Sequence, residues 1–161
     1  MTTYYKATRP DGTSFYDATT KWQVGRIVRH PAPDLSLGLC SAGVLHISDA
    51  PGETLVGGSW PCRLFEVEPR GELVSDGSHK HGCAVVKVVR ELPAWQALGP
   101  NGEAVAAVIE RCRAFTPNEI QKLAAACRAA GDAARALMVK DIITAEQFDL
   151  LYGPWKSVMG S

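Results

Sequence analysis

The chain has 161 residues, with a hydrophobic share of 46%, a charged share of 21%, and 17 basic against 17 acidic side chains. That length buries an ordinary core without disulfide or metal staples. The charge balance, ten of each sign up to residue 100 and seven of each after it, excludes a bulk polyanion binder, so any phosphate contact has to come from a local basic cluster. No apolar run approaches the roughly 20 residues needed to cross a bilayer, and Met1 to Lys6 lacks the basic flank and apolar stretch of a secretory signal. Cytosolic residence is therefore expected, with no membrane partner.

The first predicted strand is Tyr4-Tyr5-Lys6-Ala7-Thr8, followed by the turn Arg9-Pro10-Asp11-Gly12. A second lies near Gly25-Arg26-Ile27-Val28-Arg29, before the turn His30-Pro31-Ala32-Pro33-Asp34. Gly43 to Ser48 and Arg63 to Pro69 follow, each setting one or two polar side chains opposite apolar ones, as a half-buried sheet does when it presents a cleft. The β-branched run Cys83 to Arg90 predicts a strand covered on both faces.

After residue 100 the periodicity changes to helical. Val105, Val108, Ile109 and Cys112 form one stripe. Thr116-Pro117-Asn118-Glu119 then combines an N-cap, a proline at the first helical position and a capping-box glutamate. The predicted apolar face of that helix is Ile120, Leu123, Ala124 and Cys127, with Gly131 ending or bending it before Ala134, Leu137 and Met138. Thr144 to Gln147 repeats the capping-box spacing and starts a short helix with Phe148, Leu150 and Leu151, closed by Gly153-Pro154. The expected fold is α+β: a small, twisted, mainly antiparallel sheet domain over residues 1 to 100, then a helical tail over 101 to 161 that packs on it or mediates association.

The residues Lys6-Ala7-Thr8-Arg9-Pro10-Asp11-Gly12, the segment Cys40 to Ser48, and Glu66-Val67-Glu68 resemble a small, largely uncharacterised domain family of bacteriophages and bacteria. The order of motifs is also similar, distantly, to the ADP-ribosyltransferase-like fold. There Tyr5-Lys6-Ala7-Thr8, Leu45-His46-Ile47-Ser48, Glu66 to Gly71 and His79-Lys80-His81-Gly82 align with the strands that hold NAD and carry the catalytic glutamate. The resemblance implies that Lys6 stands for the histidine that grips the NAD ribose, His46 for the tyrosine on nicotinamide, and Lys80 or His81 for the glutamate, with Thr8 and Ser48 also on cofactor-binding positions.

Without the glutamate, standard ADP-ribosyl transfer loses its charge-stabilising group, and a Lys/His set suits phosphate instead. RNA 2′-phosphotransferases share this fold. The expected function is thus a phage- or prophage-type accessory protein that binds NAD, a nucleotide or a nucleic-acid end. Lys6 and Lys80 neutralise phosphate, His46 contacts ribose or base, and His81 is a further acid/base candidate. The alternative is a non-catalytic module that binds a protein partner through its surface or its C-terminal helices.

Other clusters admit both functional and ordinary readings. His79, His81 and Cys83 could ligate a metal with Cys40 or Cys62, or form a solvated loop leading into a strand. Glu66 and Glu68 could act as a carboxylate pair or sit exposed on a strand, and Arg26, Arg29 and His30 form a small basic patch. Trp22, Trp60, Trp95 and Trp155 lie beside turns as anchors or stacking platforms. Five cysteines without a Cys-x-x-Cys pair are expected to be reduced and mostly buried.

Overall fold

A computed structural model describes residues 2–39 and 41–159, so the expectation for Cys40 lies outside the described residues. The fold is α+β, with β1 (Tyr4–Thr8), β2 (Ile27–Arg29), β3 (Leu45–Ser48), β4 (Arg63–Ser75) and β5 (Lys80–Leu92) preceding α1 (Gly102–Arg113), α2 (Pro117–Val139) and α3 (Ala145–Met159). The chain divides into two compact units, Met1–Val108 and Ile109–Ser161. The boundary falls inside α1, a few residues after the change of periodicity.

In the first unit every strand pairing is antiparallel and the order is β2-β5-β3-β1-β4. β4 also pairs with β5, so β5, β3, β1 and β4 close into a ring, with β2 added beside β3 along β5. Closure requires strong curvature. It comes from the length of β4 and β5 and from two irregularities in their register, at Glu66/Val67 and at Arg70/Leu73, where Gly71 takes a positive φ.

The pleat sends Phe65 and Val67 of β4, Leu45 and Ile47 of β3, and Val86 and Val88 of β5 into one buried cluster around Trp22. The Trp22 indole is buried and donates from Nε1 to Ser14 Oγ at 2.9 Å. A smaller cluster on the other face of β1 joins Ala7, Cys62, Leu64 and Ala97. Gly82 lets β5 pass beside Val44 and Val74, whose methyls a Cβ would meet at 2.9 Å.

In the second unit α2 and α3 pack against each other. Both starts are capped as the sequence predicts. Thr116 and Glu119 form a reciprocal capping box, and Thr144 and Gln147 exchange the equivalent bonds at 2.9 and 3.2 Å. Three expectations are corrected. Gly131 does not end α2, which runs on to Val139, because the cost of one interior glycine is only about 1 kcal/mol against the packing of a long helix. Gly153-Pro154 does not close α3, which continues to Met159 with Pro154 inside it. The large side chains expected to be buried on α1 and α2 are instead exposed, among them Val108, Ile120 and Leu123, while the buried face of α2 is Ala129, Ala133 and Ala136. Small residues on a buried helix face let a neighbouring helix approach closely.

The cysteines divide: Cys62 and Cys83 are buried, Cys112 is half-buried and Cys127 is exposed. Among the described residues, no helix is long and apolar enough to cross a membrane.

Phe65 is fully enclosed in the ring interior. Phe65→Ala is expected to lower stability by about 3–5 kcal/mol in urea unfolding followed by tryptophan fluorescence. A loss under about 1 kcal/mol would show that the ring interior collapses onto the gap.

Candidate functional site

The ring has one weak seam. β1 and β3 share a single pair, Tyr5↔Ser48, whereas β1 pairs with β4 along its whole length. Continued by register, the ladder would set Lys6 against Ile47 and Ala7 against His46, sending Lys6 and His46 to opposite faces. The strands part instead, and these four residues line a cavity of about 530 Å³. Ser48, Ser78, His79 and Lys80 add to the polar side of its lining, and Tyr5, Phe15, Tyr16 and Val56 to the apolar side. Lys6 and His46 also border a second, much smaller cavity of about 40 Å³ that reaches Trp22 and Asp17.

Lys6 is the most unusual group in the site. It sits opposite Phe65 in the β1–β4 register, and its Nζ lies 5.1 Å from the centre of the Trp22 ring. Among the described residues it has no hydrogen bond or ion pair. Burial pulls its pKa down to about 8, with the charge of Asp17 acting in the opposite sense and that of Lys80 reinforcing the drop. The ammonium therefore stays largely protonated at neutral pH while being held in a site that disfavours it.

His46 is anchored by Nε2, which donates to the Leu39 carbonyl. A carbonyl only accepts, so in the neutral ring the lone pair sits on Nδ1. Burial lowers the His46 pKa more than that hydrogen bond raises it, and the nearby positive charges of Lys80 and Lys6 lower it further. His46 is thus a neutral acceptor between cations at neutral pH.

The remaining candidates divide by geometry. Lys80 lines the cavity with Lys6 and His46. Ser48 also borders it, but its hydroxyl is engaged by Ala50, donating to the carbonyl at 2.9 Å and accepting from the amide at 3.2 Å. Thr8 is fully buried outside the lining, and its hydroxyl donates to the Arg9 carbonyl at 3.0 Å. His81 is also outside the lining. Its Nε2 lies 3.2 Å from Asp49 Oδ2, and its ring meets Tyr4 edge-on at 5.2 Å.

Asp49 bridges two histidines, since Oδ1 takes His79 Nδ1 at 2.7 Å. The bond from His79, and then that from His81, hold its carboxyl below the usual range. The Cys83 thiol faces the core near the Leu45 carbonyl, so it does not join His79 and His81, and no group of three or more His, Cys, Asp or Glu side chains is placed to hold a metal ion among the described residues. The Glu66–Glu68 pair is likewise spoken for, with Glu66 on Arg90 at 2.6 Å and Glu68 3.9 Å from Arg70.

Sequence reading missed the far wall. Phe15, Tyr16, Glu53, Thr54 and Val56 come from two turns with no strand or helix signal, and only the Pro51-Gly52 and Gly57-Gly58 breakers marked the second. Gly58 is a close-approach position: a Cβ there would sit 2.9 Å from the Phe15 ring.

No protein-family model, curated protein or solved structure matches the chain. The chemistry of this cavity is accordingly the basis for assigning a function.

The folded-state pKa of Lys6 lies below its ordinary 10.5, so between about 8 and 10.5 the unfolded chain binds more protons than the folded one. Stability from this group therefore rises with pH through that window and is penalised below it. Lys6→Met is expected to raise stability at pH 7 by about 1–3 kcal/mol in urea unfolding, with the gain shrinking towards pH 10. A loss at pH 7 would mean that the protein stabilises the ammonium.

Proposed function

We propose that the first unit binds a phosphate-bearing ligand of the nucleotide class in the cavity between β1 and β3. The observation that carries this reading is Lys6: a half-buried cation that makes no hydrogen bond or ion pair among the described residues, held over the Trp22 ring on the wall of a cavity that also bears Lys80. A charge held partly out of water with no ion pair or hydrogen bond is costly, and an incoming anion relieves that cost with a charge-assisted bond. The cavity volume of about 530 Å³ falls within the usual small-molecule range. Tyr5, Phe15 and Tyr16 supply an apolar surface for a base or nicotinamide ring, and the His46 Nδ1 lone pair suits a ribose hydroxyl.

NAD, a mononucleotide or a nucleic-acid end all present this combination. In the wider reading that follows from the motif resemblance, the chain is a phage- or prophage-type accessory protein with a divergent ADP-ribosyltransferase-like site, in which Lys6 and Lys80 hold phosphate where the family uses other groups. Support for that extension is the adjacency of the four motif-bearing strands, β5, β3, β1 and β4. Glu53 borders the cavity as well and is a candidate to orient an acceptor hydroxyl.

A thermal-shift screen of the full chain with NAD, ADP-ribose, mononucleotides and short DNA and RNA ends tests the proposal, since a ligand that binds only the folded state raises its stability. The expected result is a rise in Tm that weakens at high salt and is lost in Lys6→Met and in Lys80→Ala. No shift with any of these ligands, or a shift unchanged in both variants, would overturn it.

A further inference from the structure

α2 carries two apolar seams. Ala129, Ala133 and Ala136 are buried in the unit that α2 forms with α3. The second seam runs Ile120, Leu123, Cys127, Ala130, Ala134, Leu137, a strict alternation of three- and four-residue steps over three heptads. Its large members are exposed, Ile120 at 52%, Leu123 at 42% and Leu137 at 51%. One helix face suffices to hold α3. A sustained 3.5-residue repeat on another face has the form of a helix that meets a second helix along its length.

We propose that this seam pairs α2 with α2 of a second copy of the chain as an antiparallel coiled coil. The claim is independent of the ligand reading. Direction follows from volume and charge. In a parallel pair Ile120, Leu123 and Leu137 would each meet themselves while Ala130 and Ala134 left the middle of the seam thin. An antiparallel pair centred between residues 128 and 129 sets Ile120 against Leu137, Leu123 against Ala134 and Cys127 against Ala130, which evens the layers along about 27 Å.

The flanking charges agree. Glu119 precedes the first seam residue, and Lys140 stands three residues beyond the last. In the antiparallel register Glu119 of each copy lies beside Lys140 of the other, and the two-fold axis makes the contact twice. A parallel register brings no charged pair across the seam. Glu119 uses Oε2 to cap Thr116, which holds the carboxylate at the edge of the seam.

Light scattering after size exclusion, on the full chain at tens of micromolar, is expected to give a dimer. Leu123→Asp, on an exposed position, is expected to give a monomer with unchanged helical circular dichroism. A monomeric wild type, or a dimer that survives Leu123→Asp, would overturn the proposal.

Lys140→Glu tests direction: it sets two acids together and is expected to weaken dimerisation about three- to tenfold, with Glu119→Gln in that background restoring it while keeping the helix cap. Unchanged affinity in Lys140→Glu would exclude the antiparallel register. Cys127, exposed in the single chain, packs in the seam of the dimer, so a maleimide is expected to label it slowly in the wild-type dimer and readily in the Leu123→Asp monomer. Equally fast labelling in both would place the contact elsewhere.

Discussion

β5 is the element on which the first unit depends. Its thirteen residues pair with β4 along one edge and with β3 and then β2 along the other, so every other strand except β1 is hydrogen-bonded to it. β1 in turn joins β4 to β3, which closes the ring. That closure removes most free strand edges from a sheet too small to cover itself, and it encloses Phe65, Val67, Val86 and Val88 around Trp22. Each long strand contributes both hydrogen bonds and core side chains, so the ring and its interior form together.

Closing a ring from so few strands has a consequence at the join. β1 is five residues long and β3 four, and with β1 fully paired to β4 only one rung remains between β1 and β3. The missing rungs leave a cavity, and the side chains beside it are those that a continued ladder would have separated. Lys6 is there because β1 alternation sends it inward, towards Trp22, where an apolar side chain would have fitted the core without penalty. The protein instead holds a desolvated ammonium beside a neutral imidazole that is tethered by its far nitrogen. Such an arrangement lowers stability in the absence of an anion.

The second unit solves a different problem. A helix with one apolar stripe can bury it at home. α2 buries small residues and exposes larger ones, so close approach holds it in its unit while its more hydrophobic seam stays outside. The proposed ligand chemistry of the first unit and the proposed self-association of the second thus rest on separate elements and can be disturbed separately.

Much of this was readable from local pattern. Strand positions follow from alternation and turn residues, and both capping boxes follow from a threonine with its glutamate or glutamine three residues on, because these interactions close within one turn of chain. The grouping of Lys6, His46 and Lys80 came from motif resemblance. Their common cavity is a product of where β1 and β3 part, which no local spacing encodes.

The far wall, from Phe15 to Val56, was illegible because its two turns lack periodicity. The burial of α2 was misread because hydrophobicity alone favours Ile120 and Leu123 as the buried face, whereas close packing of two helices favours alanine. Sequence by itself determined the elements, their caps and the polar residues available. Tertiary structure decided which strand edges closed, where the ladder opened and which helix face was covered, since each of those depends on contacts between residues far apart in the chain.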